Sequence, residues 1–257
     1  MIGIFDSGAG GLSVYREIVR LLPNERYVYF SDNAHCPYGE KSQEYILARA
    51  RWITEHLISR GANVIVIACN TATAAAIATL RAEYGLPFIG MEPAVKPAAL
   101  KTHSGVIGVL ATAGTLKASK YLDTKDKYTD GVKVIEQVGK GFVELVENGE
   151  LDGPYAEQVV RESVEPLILA GADVIVLGCT HYPFLRGTIS RIAGSGVSII
   201  DPAPAAARHL VDVMSERKLF RNDSRSGGKN IGDPKAADVE LSSSGDRSAL
   251  ERIFNLL

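Results

Sequence analysis

Two stretches of this chain repeat one local pattern: Gly61-Ala-Asn-Val-Ile-Val-Ile-Ala-Cys69-Asn70-Thr71 and Gly171-Ala-Asp-Val-Ile-Val-Leu-Gly-Cys179-Thr180-His181. In each, a glycine suited to ending a helix leads into an unbroken apolar run, and the run ends on a thiol. Upstream, Ile2-Gly-Ile-Phe-Asp6-Ser7-Gly8 resembles Ile107-Gly-Val-Leu-Ala111-Thr112-Ala113. The two cysteines are 110 positions apart and the two upstream runs 105. A duplicated unit of that length is a subdomain, too long for a solenoid repeat. In open α/β sheets ligands bind beyond the C-terminal strand ends, where helix N-termini begin. Two facing halves would therefore bring Cys69 and Cys179 to opposite sides of one ligand.

Apolar runs without alternation recur at Ile2 to Phe5, Tyr27 to Phe30, Val64 to Ala68, Phe88 to Gly90, Val106 to Leu110, Val132 to Ile135, Val174 to Leu177 and Val197 to Ile200. Such runs are strands covered on both faces by helices. The spacing predicts helices over Ser13 to Leu21, Ser42 to Ser59, Ala72 to Tyr84, Leu116 to Tyr121, Gly141 to Glu147, Pro154 to Leu169, Phe184 to Ile192 and Ala205 to Arg217. Ser42 and Thr71 read as N-caps, and Gly61, Gly85 and Gly171 as helix stops. From Asn222 to Lys235 almost no apolar residue occurs, which predicts a mobile surface loop. Val239 to Leu241 then reads as an edge strand and Arg247 to Leu257 as a closing helix, with this tail expected to pack on the first half.

A chain of 257 residues can bury a substantial core. Its formal charge of −2 gives no general attraction to nucleic acid or to an anionic membrane. No apolar stretch is long enough to span a bilayer, and no basic segment with an apolar signal core opens the sequence, so the expected location is cytoplasmic. The three cysteines, Cys36, Cys69 and Cys179, are then thiols rather than a disulfide framework. Cys36, in Ala34-His35-Cys36-Pro37, has no counterpart in the repeat and reads as structural.

Polar turns follow the strands: Asp6-Ser7-Gly8-Ala9-Gly10-Gly11, Ser31-Asp32-Asn33 running on to Pro37-Tyr38-Gly39, Cys69-Asn70-Thr71, Thr112-Ala-Gly114-Thr115 and Cys179-Thr180-His181-Tyr182. The first is neither a dinucleotide fingerprint nor a P-loop. Together these turns offer hydroxyls, an amide and helix N-terminal N–H groups, all suited to carboxylates. A thiol at a helix N-terminus among polar groups has its thiolate favoured, below the ordinary value of about 8.5. Two such thiols flanking one small acid suit inversion of a carbon centre, which needs a base on one face and an acid on the other. Asp6 is placed to serve Cys69, and His181 to serve Cys179.

Four ordered motifs carry a family likeness across nearly the whole chain. Asp6-Ser-Gly-x-Gly-Gly-Leu-Ser-Val14, Ser31-Asp32-Asn33 with Pro37-Tyr-Gly39, Ala68-Cys-Asn-Thr-Ala72 and Gly178-Cys-Thr-His-Tyr-Pro183 resemble the signatures of the glutamate racemases. The resemblance implies an α/β fold of two pseudo-symmetric, Rossmann-like βαβ domains with parallel-rich sheets and an active site between them. It divides the chain into 1–93 plus 208–257, the Cys69 half, and 94–207, the Cys179 half. It implies racemisation of glutamate without cofactor or metal, supplying D-glutamate for peptidoglycan. Cys69 would deprotonate the D-enantiomer and Cys179 the L-enantiomer, with the other cysteine returning the proton. Asp6 would assist the first thiol, Glu147 and His181 the second, with Glu144 a nearby competitor for the role of Glu147. Asp6, Ser7, Asp32, Pro37, Tyr38, Gly39, Asn70, Thr71, Thr112, Thr115 and Thr180 would hold the substrate, and the chain would pair as a homodimer.

Three other readings stay open at this level. Aspartate or another amino acid could be the substrate. A metal site from Cys69, Cys179 and His181 is possible but short of the four closely spaced ligands of structural zinc. A non-catalytic binding protein could use the same cleft, though it would not need two thiols.

Overall fold

The computed structural model describes residues 1–221 and 233–257. The chain alternates strand and helix: β1 (Ile2–Asp6), α1 (Leu12–Leu21), β2 (Arg26–Ser31), α2 (Gln43–Ser59), β3 (Val64–Ile67), α3 (Asn70–Glu83), β4 (Phe88–Gly90) and α4 (Val95–Lys101). It continues through β5 (Val106–Ala111), α5 (Ala113–Leu116), α6 (Ser119–Tyr128), β6 (Lys133–Val138), α7 (Phe142–Asn148), α8 (Pro154–Leu169), β7 (Val174–Gly178), α9 (Arg186–Ala193), β8 (Ser198–Ile200) and α10 (Ala203–Glu216). The last elements are β9 (Asp238–Ser243) and α11 (Ser248–Phe254).

Among the described residues two sheets form, in the orders β4-β3-β1-β2-β9 and β6-β5-β7-β8. Every pairing is parallel. Read from the other edge, the second sheet is β8-β7-β5-β6, the same winding as β4-β3-β1-β2, so the duplication seen in sequence is a duplication of topology. β9 is the one addition, an outer strand beside β2. Within the central pairs Phe5 faces Ile67 and Ala111 faces Gly178. The register therefore brings Asp6 and Cys69, and likewise Thr112 and Cys179, to one end of their sheets.

Both sheets are covered on both faces, which is why their strands read as continuous apolar runs. Ile2, Ile4, Val64 and Val66 point into one core and Phe5, Ile65 and Ile67 into another. In the second sheet Leu110, Ile175 and Leu177 join that first core, whereas Ile107, Val109, Val174 and Val176 face a third. One apolar core thus runs from the inner face of one sheet to the inner face of the other. Each fully buried aliphatic side chain in it is worth about 1.5–3 kcal/mol relative to exposure.

Helix ends follow local chemistry, with exceptions. Ser42 Oγ accepts from the Tyr45 N–H at 3.2 Å and caps α2. Gly61 and Gly171, at φ of +94° and +88°, take the left-handed conformation that ends a helix. Thr71 is not the cap of α3. That place belongs to Cys69, because the helix starts at Asn70. Nor is Gly85 a cap, since α3 ends at Glu83 and Tyr84 is already extended. The stretch expected as one helix over Leu116 to Tyr121 is two, α5 and α6, the first capped by Thr112 Oγ1 accepting from Thr115 N–H. α4 is a helix the spacing did not predict, and its Pro97 lies in the first turn, where its missing N–H costs nothing.

The tail joins both halves rather than the first alone: β9 extends the first sheet, while Arg252 of α11 donates to the Glu147 carbonyl of α7 at 3.0 Å. Most of the polar segment expected as a loop lies outside the described residues. Its described end, Pro234 and Lys235, forms a short 3₁₀ turn held by the Tyr15 hydroxyl, which donates to the Pro234 carbonyl at 2.8 Å.

Candidate active site

The strand tips carry two chains of polar contacts, one for each thiol. Cys69 is the N-cap residue of α3, and its sulfur accepts from the Ala72 N–H at 3.5 Å. It also lies 3.7 Å from Ser7 Oγ, which in turn lies 3.4 Å from Asp6 Oδ1. Asp6 is fully buried, and its other oxygen accepts from the Gly11 N–H at 2.7 Å. On the second half Cys179 Sγ is 3.8 Å from His181 Nδ1. His181 Nε2 is 2.6 Å from Glu147 Oε1, which also accepts from the Ala9 N–H at 2.7 Å. Each thiol therefore reaches a carboxylate through one intermediate residue, Ser7 in one half and His181 in the other.

Close approach of the first turn to the second half makes this possible. A Cβ on Gly10 would lie 2.2 Å from His181 Nδ1, and one on Gly8 would lie 2.2 Å from Glu147 Oε1. Glycine at these positions is a steric requirement of the site. Ser13 Oγ donates to the Thr180 carbonyl at 2.8 Å, tying the start of α1 to the Cys179 turn. The negative charge of Cys179, when formed, bears on Cys69, so the two sulfurs share one electrostatic environment.

Burial pushes the Cys69 thiol well up, and the Asp6 charge adds to this; the Ala72 N–H works the other way and loses. This reverses the sequence expectation of a favoured thiolate at Cys69, because a helix N-terminus inside a dry site cannot offset desolvation plus a neighbouring carboxylate. Burial likewise raises the Asp6 carboxyl, opposed by His181 and the Gly11 N–H. For His181 burial acts downward, but hydrogen bonds with Cys179, Cys36 and Glu147 prevail and hold the imidazole well above its ordinary value. Glu147 is the counterpart: burial acts upward, and the bond from His181 brings it below the ordinary carboxylate range. Glu144, its competitor in sequence, is exposed.

The hydroxyls expected around a substrate gather from both halves. Thr71 Oγ1 lies 2.9 Å from Thr112 Oγ1 and 3.4 Å from Thr115 Oγ1, and the two latter are 3.0 Å apart. A cleft of about 400 Å³ lined by Thr71, Gly114, Lys41 and Lys117 adjoins them. Asn70 is buried, and neither polar atom of its side chain has a hydrogen-bond partner among the described residues. A buried amide in that state is unfavourable unless a bound molecule completes it. Thr180 and Ser7 are also buried, and Pro37 and Gly39 are half-buried. Asp32 and Tyr38 are engaged within the first half. Arg49 donates to the Asp32 oxygens at 2.9 and 2.7 Å, and the Tyr38 hydroxyl donates to Oδ2 at 2.5 Å. These bonds and the Arg49 charge outweigh burial and lower the Asp32 carboxyl. The Asp32 carboxylate is thus spent on fixing the Pro37–Gly39 segment.

Arg49, Ser13 and Cys36 were not anticipated as neighbours of the site. Arg49 sits in ordinary helical sequence that no spacing marks, and Ser13, although it stands within the first motif, is given no role by it. Cys36, read from sequence as structural, is placed against His181 and Glu147.

A profile of the Asp/Glu/hydantoin racemase family matches residues 2–210. The chain belongs to this family. Its relatives include the glutamate racemase of Ectopseudomonas mendocina, 52% identical over 220 residues that make up 85% of this chain and 84% of that protein. The glutamate racemase of Pseudomonas entomophila is 46% identical over 257 residues, 100% of this chain and 93% of its own length. Among solved structures, glutamate racemase from Francisella tularensis in complex with D-glutamate gives a TM-score of 0.80 at 30% identity, covering 99% of this chain and 93% of that one. Among the described residues of this racemase-family chain, no helix is long and apolar enough to cross a membrane.

Proposed function

We propose that this chain interconverts L- and D-glutamate without a cofactor, by proton transfer between Cys69 and Cys179 across the substrate Cα, and so supplies D-glutamate for peptidoglycan in the cytoplasm. The observation that carries the reading is the pair of relays, Cys69–Ser7–Asp6 and Cys179–His181–Glu147, at equivalent strand tips of a duplicated fold. Each relay ends on a carboxylate that can keep or return one proton.

In one direction the Cys69 thiolate removes the Cα proton of D-glutamate, and the Cys179 thiol delivers its own proton to the opposite face. The L-enantiomer leaves, with the two sulfurs having exchanged protonation states. The reverse reaction restores them. Because Cys69 rests as the thiol, forming its thiolate requires a compensating positive charge, which the substrate ammonium supplies when it binds nearby. The ammonium and both carboxylates are assigned to Ser7, Asn70, Thr71, Thr112, Thr115, Thr180 and the Pro37–Gly39 segment, with Asp32 positioning that segment. The division into 1–93 plus 208–257 and 94–207 gives two halves whose closure would exclude water from the thiols. Pairing as a homodimer is part of the same family reading.

The test follows solvent deuterium into Cα during racemisation, starting separately from each enantiomer, in the wild type and in Cys69→Ser and Cys179→Ser. The product enantiomer is expected to carry solvent hydrogen, and each variant to lose racemisation by roughly 10³-fold or more while folding normally. Near wild-type turnover in either variant refutes a two-base mechanism. Faster turnover of D-aspartate than of D-glutamate transfers the activity to the other amino acid.

A further inference from the structure

Racemisation uses His181 and Glu147, but it leaves unexplained the third soft donor beside them. Cys36, Glu147 and His181 each bring a ligating atom to within 4.8 Å of the others. Thiolate, imidazole and carboxylate together form a donor set that suits Zn²⁺, and three protein ligands with one open position are the pattern of an exchangeable rather than a closed structural site. Zn–S near 2.3 Å with Zn–N and Zn–O near 2.1 Å place tetrahedral donors roughly 3.3–3.7 Å apart. The trio therefore needs Glu147 and His181 to part by about an ångström from their present 2.6 Å, and any separation from Cys36 near the 4.8 Å limit to close by a similar amount.

A pocket of about 360 Å³ is lined by Cys36 and Glu147 and gives an ion a path from solvent. Its rim carries the carboxylates of Glu144 and Asp246 as well, against the one guanidinium of Arg252. That guanidinium is itself occupied in part by the Glu147 carbonyl at 3.0 Å. The local charge therefore favours a cation. The lining of this pocket shares no residue with the cleft at Thr71 and Gly114.

We propose that Cys36, Glu147 and His181 form a binding site for a thiophilic divalent cation, Zn²⁺, which reversibly inhibits the enzyme. Coordination displaces two protons to solvent, that of the Cys36 thiol and that of His181 Nε2, which frees the imidazole lone pair, and it takes up the Glu147 carboxylate. The His181–Glu147 bond is then lost, and with it the support of Cys179. Mg²⁺ and Ca²⁺, which require oxygen ligands, do not compete. The inhibitory consequence rests on the function proposed above, whereas the binding site does not.

The experiment titrates metal-free enzyme with Co²⁺ without substrate, following the thiolate-to-cobalt absorption, then displaces Co²⁺ with Zn²⁺ and measures racemisation at each Zn²⁺ level. A saturable band is expected in the wild type and in Cys69→Ser. In Cys36→Ser the band should vanish, and the Zn²⁺ concentration for half-inhibition, relative to that variant's own metal-free rate, should rise by roughly tenfold or more. Should Cys36→Ser not fold, Glu147→Gln in the same absorption assay is expected to weaken Co²⁺ binding by a similar factor. A band that persists in Cys36→Ser, a band lost in Cys69→Ser, or no band in the wild type overturns the site. A Cys36-dependent band in a chain that racemises nothing upholds the site and removes the functional reading instead.

Discussion

Asp32 has no exposed surface, yet it carries a charge, because Arg49 grips it in a two-pronged contact while the Tyr38 hydroxyl adds a third bond. Arg49 is itself held in place by stacking 4.8 Å from the Trp52 ring centroid. Removing one member of such a pair strands the other, so Arg49→Met is expected to cost roughly 2–4 kcal/mol in urea unfolding at neutral pH. The sign of its pH dependence follows. In the wild type the Asp32 carboxyl is lowered, so its contribution is present above the ordinary carboxylate range and lost as pH falls below it. In the variant burial is opposed only by the hydroxyls of Tyr38 and Ser244, so the carboxyl moves up from its wild-type position and the deficit should shrink in acid. A deficit equal at pH 7 and pH 4 would contradict this account. Gly10 tests the other half of the site. His181 is 1% exposed, and a methyl at position 10 would lie 2.2 Å from its Nδ1, so Gly10→Ala should displace the imidazole. Racemisation is expected to fall by about 10²-fold, the cost of misplacing a reacting group by an ångström. Thermal stability should drop only modestly, and a rate within twofold of wild type would show that His181 position is unimportant.

At the scale of elements, α1 matters because its start belongs to one half and its contacts to both. Ser13 Oγ is buried and donates to the Thr180 carbonyl of the Cys179 turn. Ser13→Ala leaves that carbonyl without its donor inside the protein, at an expected cost of roughly 1–2 kcal/mol. The same change should lower turnover more than it raises KM, since it loosens the relation between the strand tips rather than a substrate contact. Unchanged stability and turnover would mean that the halves are aligned by other contacts. β3 and β7 explain why the thiols are where they are: both strands are buried on both faces, end in register with their central partners, and release the chain directly into the site.

For the whole molecule, the opposing shifts at His181 and Glu147 predict a stability window. Glu147 is lowered, so its contribution is present above its ordinary 4.5 and lost as pH falls through the folded value. His181 is raised, so its contribution is present below its ordinary 6.5 and lost as pH rises through the folded value. The pair therefore stabilises fully between about pH 4.5 and 6.5. Thermal melts of wild type and Glu147→Gln should differ most in that window and converge toward alkaline pH; a gap that widens with rising pH would refute the assignment. Asp6 has the sign of His181, since burial raises it. Its ionised form works against folding near neutrality, which fits a carboxylate kept in place for chemistry rather than stability.

Much of this was legible in the order of residues. Unbroken apolar runs mean strands covered on both faces, and a duplicated run ending in cysteine fixes two equivalent strand tips, since both follow from periods of a few residues and from chain direction. The relays were half legible: His181 stands two places from Cys179, and Glu147 entered only through the family resemblance, its choice over Glu144 being decided by which side of α7 meets His181. Arg49 beneath Asp32, Cys36 beside His181 and Ser13 beneath Thr180 depend on contacts between elements far apart in the chain, which no local pattern encodes. The Cys69 expectation was reversed for the same reason. A helix N-terminus is a local feature and can be read from sequence, whereas desolvation and the field of a carboxylate brought in by another strand arise only when the chain closes around them.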